Sequence, residues 1–232
     1  MKNLEIKGRN IVVTGGTSGV GRALVGQFIE LGANVATVAR NKDGLDQLKR
    51  EHPQVIDIQG DVSQARDVYP IAGEVLSRLG DVEILVNSAS YLGQSPLRLL
   101  MDTECEDFAK VFETNVLGPF RLTKALIPSM ILRRSGLVVN ISSDAAVSAY
   151  PTWGSYSVSK AALDHMTRIF AEELKGKNIH FLAVDPGDMN TPMHFAAIPE
   201  ANPSELKDPK VAAIQLIELI QSGSFQQIRR SL

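Results

Sequence analysis

Short, nearly unbroken apolar runs alternate along this chain with longer segments whose apolar positions recur every three or four residues. The runs NIVVTG (10–15), NVATVA (34–39), VIDIQG (55–60), VEILVN (82–87), GLVVNIS (136–142) and IHFLAVD (179–185) are rich in β-branched residues. Their near-continuous apolar content predicts strands buried on both faces, as in a parallel sheet. The segments at about 19–31, 42–51, 63–79, 103–133 and 152–176 have helical period. Such alternation predicts an α/β fold, a doubly wound parallel sheet flanked by helices with right-handed crossovers. No Pro/Gly/Ser linker divides the chain and no internal repeat is visible, so a single domain over 1–232 is expected. The stretch 188–208, with three prolines and mixed polarity, breaks the pattern. It follows the sixth strand, at the carboxyl end of the sheet where such folds bind ligands, and reads either as a lid over a cleft or as a long connection.

Composition narrows the classes. With 44% hydrophobic and 22% charged residues, the 232-residue chain has the balance of a soluble globular protein. A formal net charge of -2 argues against nucleic acid as a partner. The lone Cys105 allows neither an intrachain disulfide nor a thiolate metal cluster, and the four histidines lack metal-ligand spacing, so no metal site is expected. Charges scattered through MKNLEIKGRNIVV argue against a signal peptide, and no apolar run is long enough to span a bilayer. A cytoplasmic protein with no membrane partner is expected. The pairs Arg133-Arg134 and Arg229-Arg230 read as solvated surface.

The first strand runs into TGGTSGVG and then a helix. Strand, glycine turn and helix N-terminus together present backbone N–H groups to an anion. Gly19 and Gly21 would permit close approach of a pyrophosphate, although a merely tight turn would use glycines as well. A P-loop is excluded, since no Lys-Ser or Lys-Thr ends the turn. Nineteen residues past Gly21, at the end of the second strand, stands Arg40, and no acid lies between 31 and 42. An acid there would bind a ribose 2′-hydroxyl, whereas a guanidinium suits a 2′-phosphate, so NADP(H) is favoured over NAD(H).

In SYSVSK, Tyr156 stands one helical turn ahead of Lys160. A phenol titrates near pH 10, about three units too high to act as a base at neutral pH. An ammonium on the same helical face, shielded from water, would favour the phenolate; on an open surface the pair would be unremarkable.

Taken together, these motifs resemble the short-chain dehydrogenase/reductase family over most of the chain. Its TGxxxGxG is met by Thr14, Gly15, Gly19 and Gly21, and its YxxxK by Tyr156 and Lys160. Its active-site serine, thirteen residues before the tyrosine, falls on Ser143, and its helical asparagine on Asn115. Its PGxxxT falls on Pro186, Gly187 and Thr191, and its adenine-contacting acid on Asp61, followed by Val62. The resemblance implies a Rossmann-type sheet of order 3-2-1-4-5-6, with a short seventh strand expected around 224–229. It implies a catalytic set of Asn115, Ser143, Tyr156 and Lys160. It also implies a cofactor site of Gly15, Thr17, Ser18, Gly19, Val20, Gly21, Arg40, Asp61, Val62, Asn87, Ala89, Tyr156, Lys160, Pro186, Gly187, Met189 and Thr191. Lys160 would both acidify Tyr156 and hold the nicotinamide ribose, and Asn115 would hold a water linking Lys160 to solvent.

The activity so implied is interconversion of a small-molecule carbonyl and a secondary alcohol in a homodimer or homotetramer. Two other readings stay open: an NADP(H)-binding sensor or scaffold without catalysis, and a sugar-nucleotide epimerase or dehydratase, for whose C-terminal domain 232 residues leave little room. Two features depart from the pattern. NNAG is replaced by NSAS, Asn87 to Ser90, and the C-terminus SGSFQQIRRSL is short. Val147, Tyr150, Trp153, Met189, Met193 and Phe195 are candidates for an apolar substrate pocket, with His194 nearby in the lid.

Overall fold

The apolar runs assemble as the middle of the molecule. In the computed structural model, which describes residues 4–232, seven parallel strands form one sheet in the order β3-β2-β1-β4-β5-β6-β7. Part of the N-terminal stretch read against a signal peptide therefore lies outside the described residues. The strands are β1 (Asn10–Thr14), β2 (Asn34–Ala39), β3 (Ile56–Gln59), β4 (Ile84–Asn87), β5 (Gly136–Ile141), β6 (Ile179–Asp185) and β7 (Arg229–Ser231). The helices are α1 (Gly19–Glu30), α2 (Lys42–Glu51), α3 (Ala65–Leu79), α4 (Cys105–Phe112), α5 (Gly118–Arg133), α6 (Gly154–Glu173), α7 (Pro192–Ala197) and α8 (Pro209–Ser222).

Strand alternation builds two cores, because successive side chains point to opposite faces. Ile11, Val13, Ile84, Val86, Val139 and Val184 pack with Leu24 and Phe28 of α1 and Leu216 and Ile220 of α8. Val12, Leu85, Val138 and Phe181 pack with Val75 of α3, Leu122 and Leu126 of α5 and Phe170 of α6. Both faces are thus covered, as the unbroken apolar runs require.

Three features differ from the sequence reading. The segment expected as one helix over 103–133 is α4 and α5 joined by a π-helical turn, Glu113–Leu117, which contains Asn115. Helix α8, absent from the periodic segments, covers one face of the sheet. The seventh strand lies at Arg229–Ser231 rather than around 224–229, with Arg229 in register with Ala183 of β6. Within 188–208 the chain forms α7 and a 3₁₀ turn at Pro203–Glu205, and Met189 bridges to Lys207. Among the described residues no helix is long and apolar enough to cross a membrane, and no cluster of His, Cys, Asp and Glu could hold a metal.

Candidate active site

A cleft of about 750 Å³ opens at the carboxyl ends of the strands. One half is built by the glycine turn. Gly15 has φ +72°, and an added Cβ would lie 2.9 Å from the backbone of Ala89. At Gly21 a Cβ would lie 2.5 Å from the carbonyl oxygen of Gly15. The turn is therefore closed as tightly as backbone allows, and Thr14 pins it by accepting from Ser88 N at 3.1 Å and Ala89 N at 3.0 Å. Ser18 caps α1 without a side-chain hydrogen bond, and the helix has no acid in its first turn. Amide donors and the positive end of the helix dipole thus face the cleft uncompensated, which fits a phosphate group.

Thr17, Ser18, Gly19, Val20, Arg40, Asp61, Val62, Ala89, Pro186, Gly187, Met189 and Thr191 line the same cleft with Gly15 and Gly21. Arg40 is exposed at the end of β2. Asp61 is oriented by Ser63, whose amide and hydroxyl donate to it at 2.9 and 2.8 Å. Thr191 caps α7, accepting from His194 N at 3.2 Å, and packs beside Gly19, which brings the 188–208 segment over the glycine turn. Asn41, Gly44 and Gly60, absent from the expected site, also line it. Asn41 carried a signal, since its side chain caps α2 by accepting from Gly44 N at 3.3 Å.

The other half holds the chemistry. Tyr156, Lys160 and Ser143 line the cleft together, with both Tyr156 and Lys160 buried. Ser143 donates to Asp144 at 2.9 Å, and Asp144 in turn accepts from Tyr150 Oη at 2.6 Å, so the serine hydroxyl is held in place. The serine also caps a 3₁₀ turn, accepting from Ala145 N at 3.2 Å. Lys160 Nζ donates to Ile141 O at 2.8 Å and sits 5.3 Å from the centre of the Tyr156 ring.

The electrostatics depart from expectation. Burial pushes the Tyr156 hydroxyl well above the usual phenol range, and the nearby carboxylates of Asp144 and Asp185 push the same way. The hydroxyls of Ser143 and Ser90, which face it, pull back toward the phenolate without prevailing. Burial lowers Lys160 to about 8, against the opposing charge of Asp164. The expected acidification of Tyr156 by Lys160 is thus corrected. The ammonium points at a backbone carbonyl, and burial of the phenol is the largest influence on its acidity.

Two other predicted residues stand elsewhere. Asn87 is buried between β4 and β5, where its amide donates to Asn140 at 2.8 Å, and it does not line the cleft. The Asn115 side chain is fully engaged: its amide donates to Tyr91 O and to Ser159 Oγ, each at 2.9 Å. Its oxygen accepts from Tyr91 N at 2.8 Å and Ser90 Oγ at 3.1 Å. It is therefore the brace between the loop after β4 and α6, and the expected water would have to use another atom of this turn. Ser90, the departure from NNAG, stands in the cleft wall with its hydroxyl toward Asn115 and Tyr156.

Of the candidate apolar residues, Trp153, Met189 and Met193 line the cleft with Leu92, as does His194. Tyr150, Trp153 and Tyr156 form an edge-to-face series with ring centres 6.2 and 5.8 Å apart. Val147 and Tyr150 are exposed. Phe195 stands away from the cleft, edge-on to His194.

Residues 9–201 match the profile of a family described as short chain dehydrogenase. Similar proteins include a short chain dehydrogenase of Pseudocercospora fijiensis, 36% identical over 191 residues, or 81% of this chain and 62% of that protein. The 2-(R)-hydroxypropyl-CoM dehydrogenase of Xanthobacter autotrophicus is 32% identical over 91% of this chain and 85% of its own length. The 3-oxoacyl-(acyl-carrier-protein) reductase of Thermotoga maritima is 33% identical over 82% of this chain and 78% of its own. Among solved structures, a short-chain dehydrogenase from Streptomyces avermitilis superimposes with a TM-score of 0.86 at 30% identity, covering 97% of this chain and 89% of that one.

Proposed function

Because the chain belongs to the short chain dehydrogenase family, we propose that it is an NADP(H)-dependent oxidoreductase interconverting a carbonyl and a secondary alcohol, with Tyr156 exchanging the proton. The observation that carries this reading is a single cleft holding both a glycine turn at the start of a helix and the group of Ser143 with the buried Tyr156 and Lys160. Relatives named for a secondary-alcohol dehydrogenase and for an oxoacyl reductase agree with the reaction class.

The residues present fit a dinucleotide. Amides of Ser18 to Gly21 and the start of α1 would hold the pyrophosphate, Asp61 and Val62 the adenine end, and Arg40 a 2′-phosphate by paired charge-assisted hydrogen bonds. Lys160, in reach of the same wall, would hold ribose hydroxyls. When bound, the cofactor supplies or accepts hydride, and its oxidised ring adds positive charge beside the phenol.

The chain's own groups do the rest. A phenol is protonated at neutral pH, so Tyr156, in the cleft beside Ser143, would donate the proton when a carbonyl is reduced. Ser143, fixed through Asp144, would donate a hydrogen bond to the substrate oxygen once its hydroxyl turns from the carboxylate, steadying charge that develops there. Trp153, Met189, Met193 and Leu92 give the substrate end an apolar wall, which would exclude water and favour an apolar substituent on the carbonyl carbon.

The test is NADPH oxidation by the purified protein across ketones, aldehydes and quinones. Turnover of at least one carbonyl is expected. NADPH binding with no turnover across the panel would instead support the sensor or scaffold reading.

A further inference from the structure

Arg229, which reads in the sequence as solvated surface, is mostly enclosed, with its side chain 20% exposed. From β7 at the sheet edge, its Nε donates to Asp164 Oδ2 at 2.9 Å and its Nη2 to the backbone carbonyl of Ser143 at 3.0 Å. Nη2 also lies 3.5 Å from Asp185 Oδ2. Both carboxylates are buried, their side chains 5% and 8% exposed, and Asp164 Oδ1 has no hydrogen-bond partner among the described residues. Asp164 follows Lys160 by one turn of α6, while Asp185 ends β6 and orients the next turn by accepting from Gly187 N at 3.0 Å. One guanidinium therefore ties together the serine loop, the lysine helix and the Pro186-Gly187 turn.

We propose that Arg229 is a positioning residue of the active site, holding the Ser143 backbone and neutralising the two buried carboxylates beside Tyr156 and Lys160. This rests on the function proposed above. The planar fork of arginine is what the arrangement needs, since three acceptors on three elements must be reached from one side chain. Its removal would leave two buried negative charges uncompensated, which is costly to the fold and felt by neighbouring charges. The charged groups facing Arg229 are Asp164 from α6, Asp185 from β6 and Asp144 from the turn after β5. Asp164 acts on Lys160 and Asp185 on Tyr156, each raising the pKa. Arg229 itself does not line the cleft and reaches the cofactor wall only through Asp185, so cofactor affinity should change less than the rate.

The experiment compares Arg229→Leu and Arg229→Lys with the wild type. It reads carbonyl-reduction kcat, the NADPH Kd, and the titration of Lys160 followed by NMR of ¹³Cε-lysine with Lys160→Met to assign the signal. In Arg229→Leu, kcat should fall roughly tenfold or more through displacement of Ser143. NADPH Kd should change by a smaller factor than kcat, and the Lys160 midpoint should rise by about half a unit or more as Asp164 loses its partner. In Arg229→Lys the retained charge should keep the Lys160 midpoint near the wild-type value, while loss of the fork still lowers kcat. Wild-type kcat and wild-type Lys160 midpoint in Arg229→Leu would overturn the proposal. If Arg229→Leu does not fold, full kcat in Arg229→Lys would overturn it. Absence of turnover in the wild type would instead defeat the oxidoreductase reading, and the Lys160 midpoint would still decide whether Arg229 sets the charge beside the pair.

Discussion

Lys160 is a buried amine, and carrying its charge there costs stability. Burial lowers its pKa from 10.5 to about 8. A lysine depressed in the folded state carries its full penalty at pH below the folded value. The penalty is relieved as pH rises from about 8 toward 10.5, because the unfolded chain then holds the extra proton. The shift corresponds to roughly 3 kcal/mol. Lys160→Met should therefore gain stability relative to wild type at pH 7, and the gap should narrow between pH 8 and 9.5 in urea unfolding. A gap independent of pH would show that Lys160 is not held in this way. Arg40 presents the simpler residue-scale case, a guanidinium exposed at the lip of the cleft. Arg40→Asp should weaken NADPH relative to NADH by about tenfold or more in a fluorescence titration, since a phosphate then meets a carboxylate. Unchanged relative affinity would remove the assignment to NADP(H).

At the scale of elements, two glycines make opposite predictions. Gly15 has a left-handed backbone and no room, so Gly15→Ala should lose about 2 kcal/mol or more and weaken NADPH. Gly73 lies inside α3 with nothing within 4 Å of an added Cβ, so Gly73→Ala should gain about 0.5–1 kcal/mol. Thermal unfolding of both variants, with an NADPH titration, checks the pair. The inner strands β1, β2, β4, β5 and β6 were legible because burial on both faces leaves a nearly unbroken apolar run. The edge strand β3 was legible by the β-branched Val55, Ile56 and Ile58 in and beside it. Helix α8 was not, because Val211 and Ile214 are apolar yet exposed and blur its periodicity. Its ends were nevertheless marked, by Asp208 accepting from Lys210 N at 2.8 Å, by Pro209 at the first position and by Gly223 at φ 64° after the end. Strand β7 could not be placed from local pattern, since Arg-Arg-Ser has little strand character and its position depends on Arg229 meeting Asp164 and Asp185.

For the whole molecule, the sheet order places the ends of β1, β2, β4, β5 and β6 around one opening, and the candidate site is what they share. Motif spacing pointed to Ser143, Tyr156 and Lys160, which lie within 18 residues of one another in sequence and line one cleft. It was not enough to place Asn87 and Asn115, whose side chains are settled by partners 53 and 44 residues away. Nor could it give the acidity of Tyr156, which depends on how completely the fold removes water from the phenol. The catalytic proposal stands on that hydroxyl. The most direct measurement is single-turnover reduction of an active carbonyl by NADPH in wild type and Tyr156→Phe, with NADPH affinity determined on the same samples. The phenylalanine variant should bind NADPH within about threefold of wild type while its rate falls by about a hundredfold or more. A variant that binds NADPH and reduces the carbonyl at the wild-type rate would show that the proton comes from elsewhere.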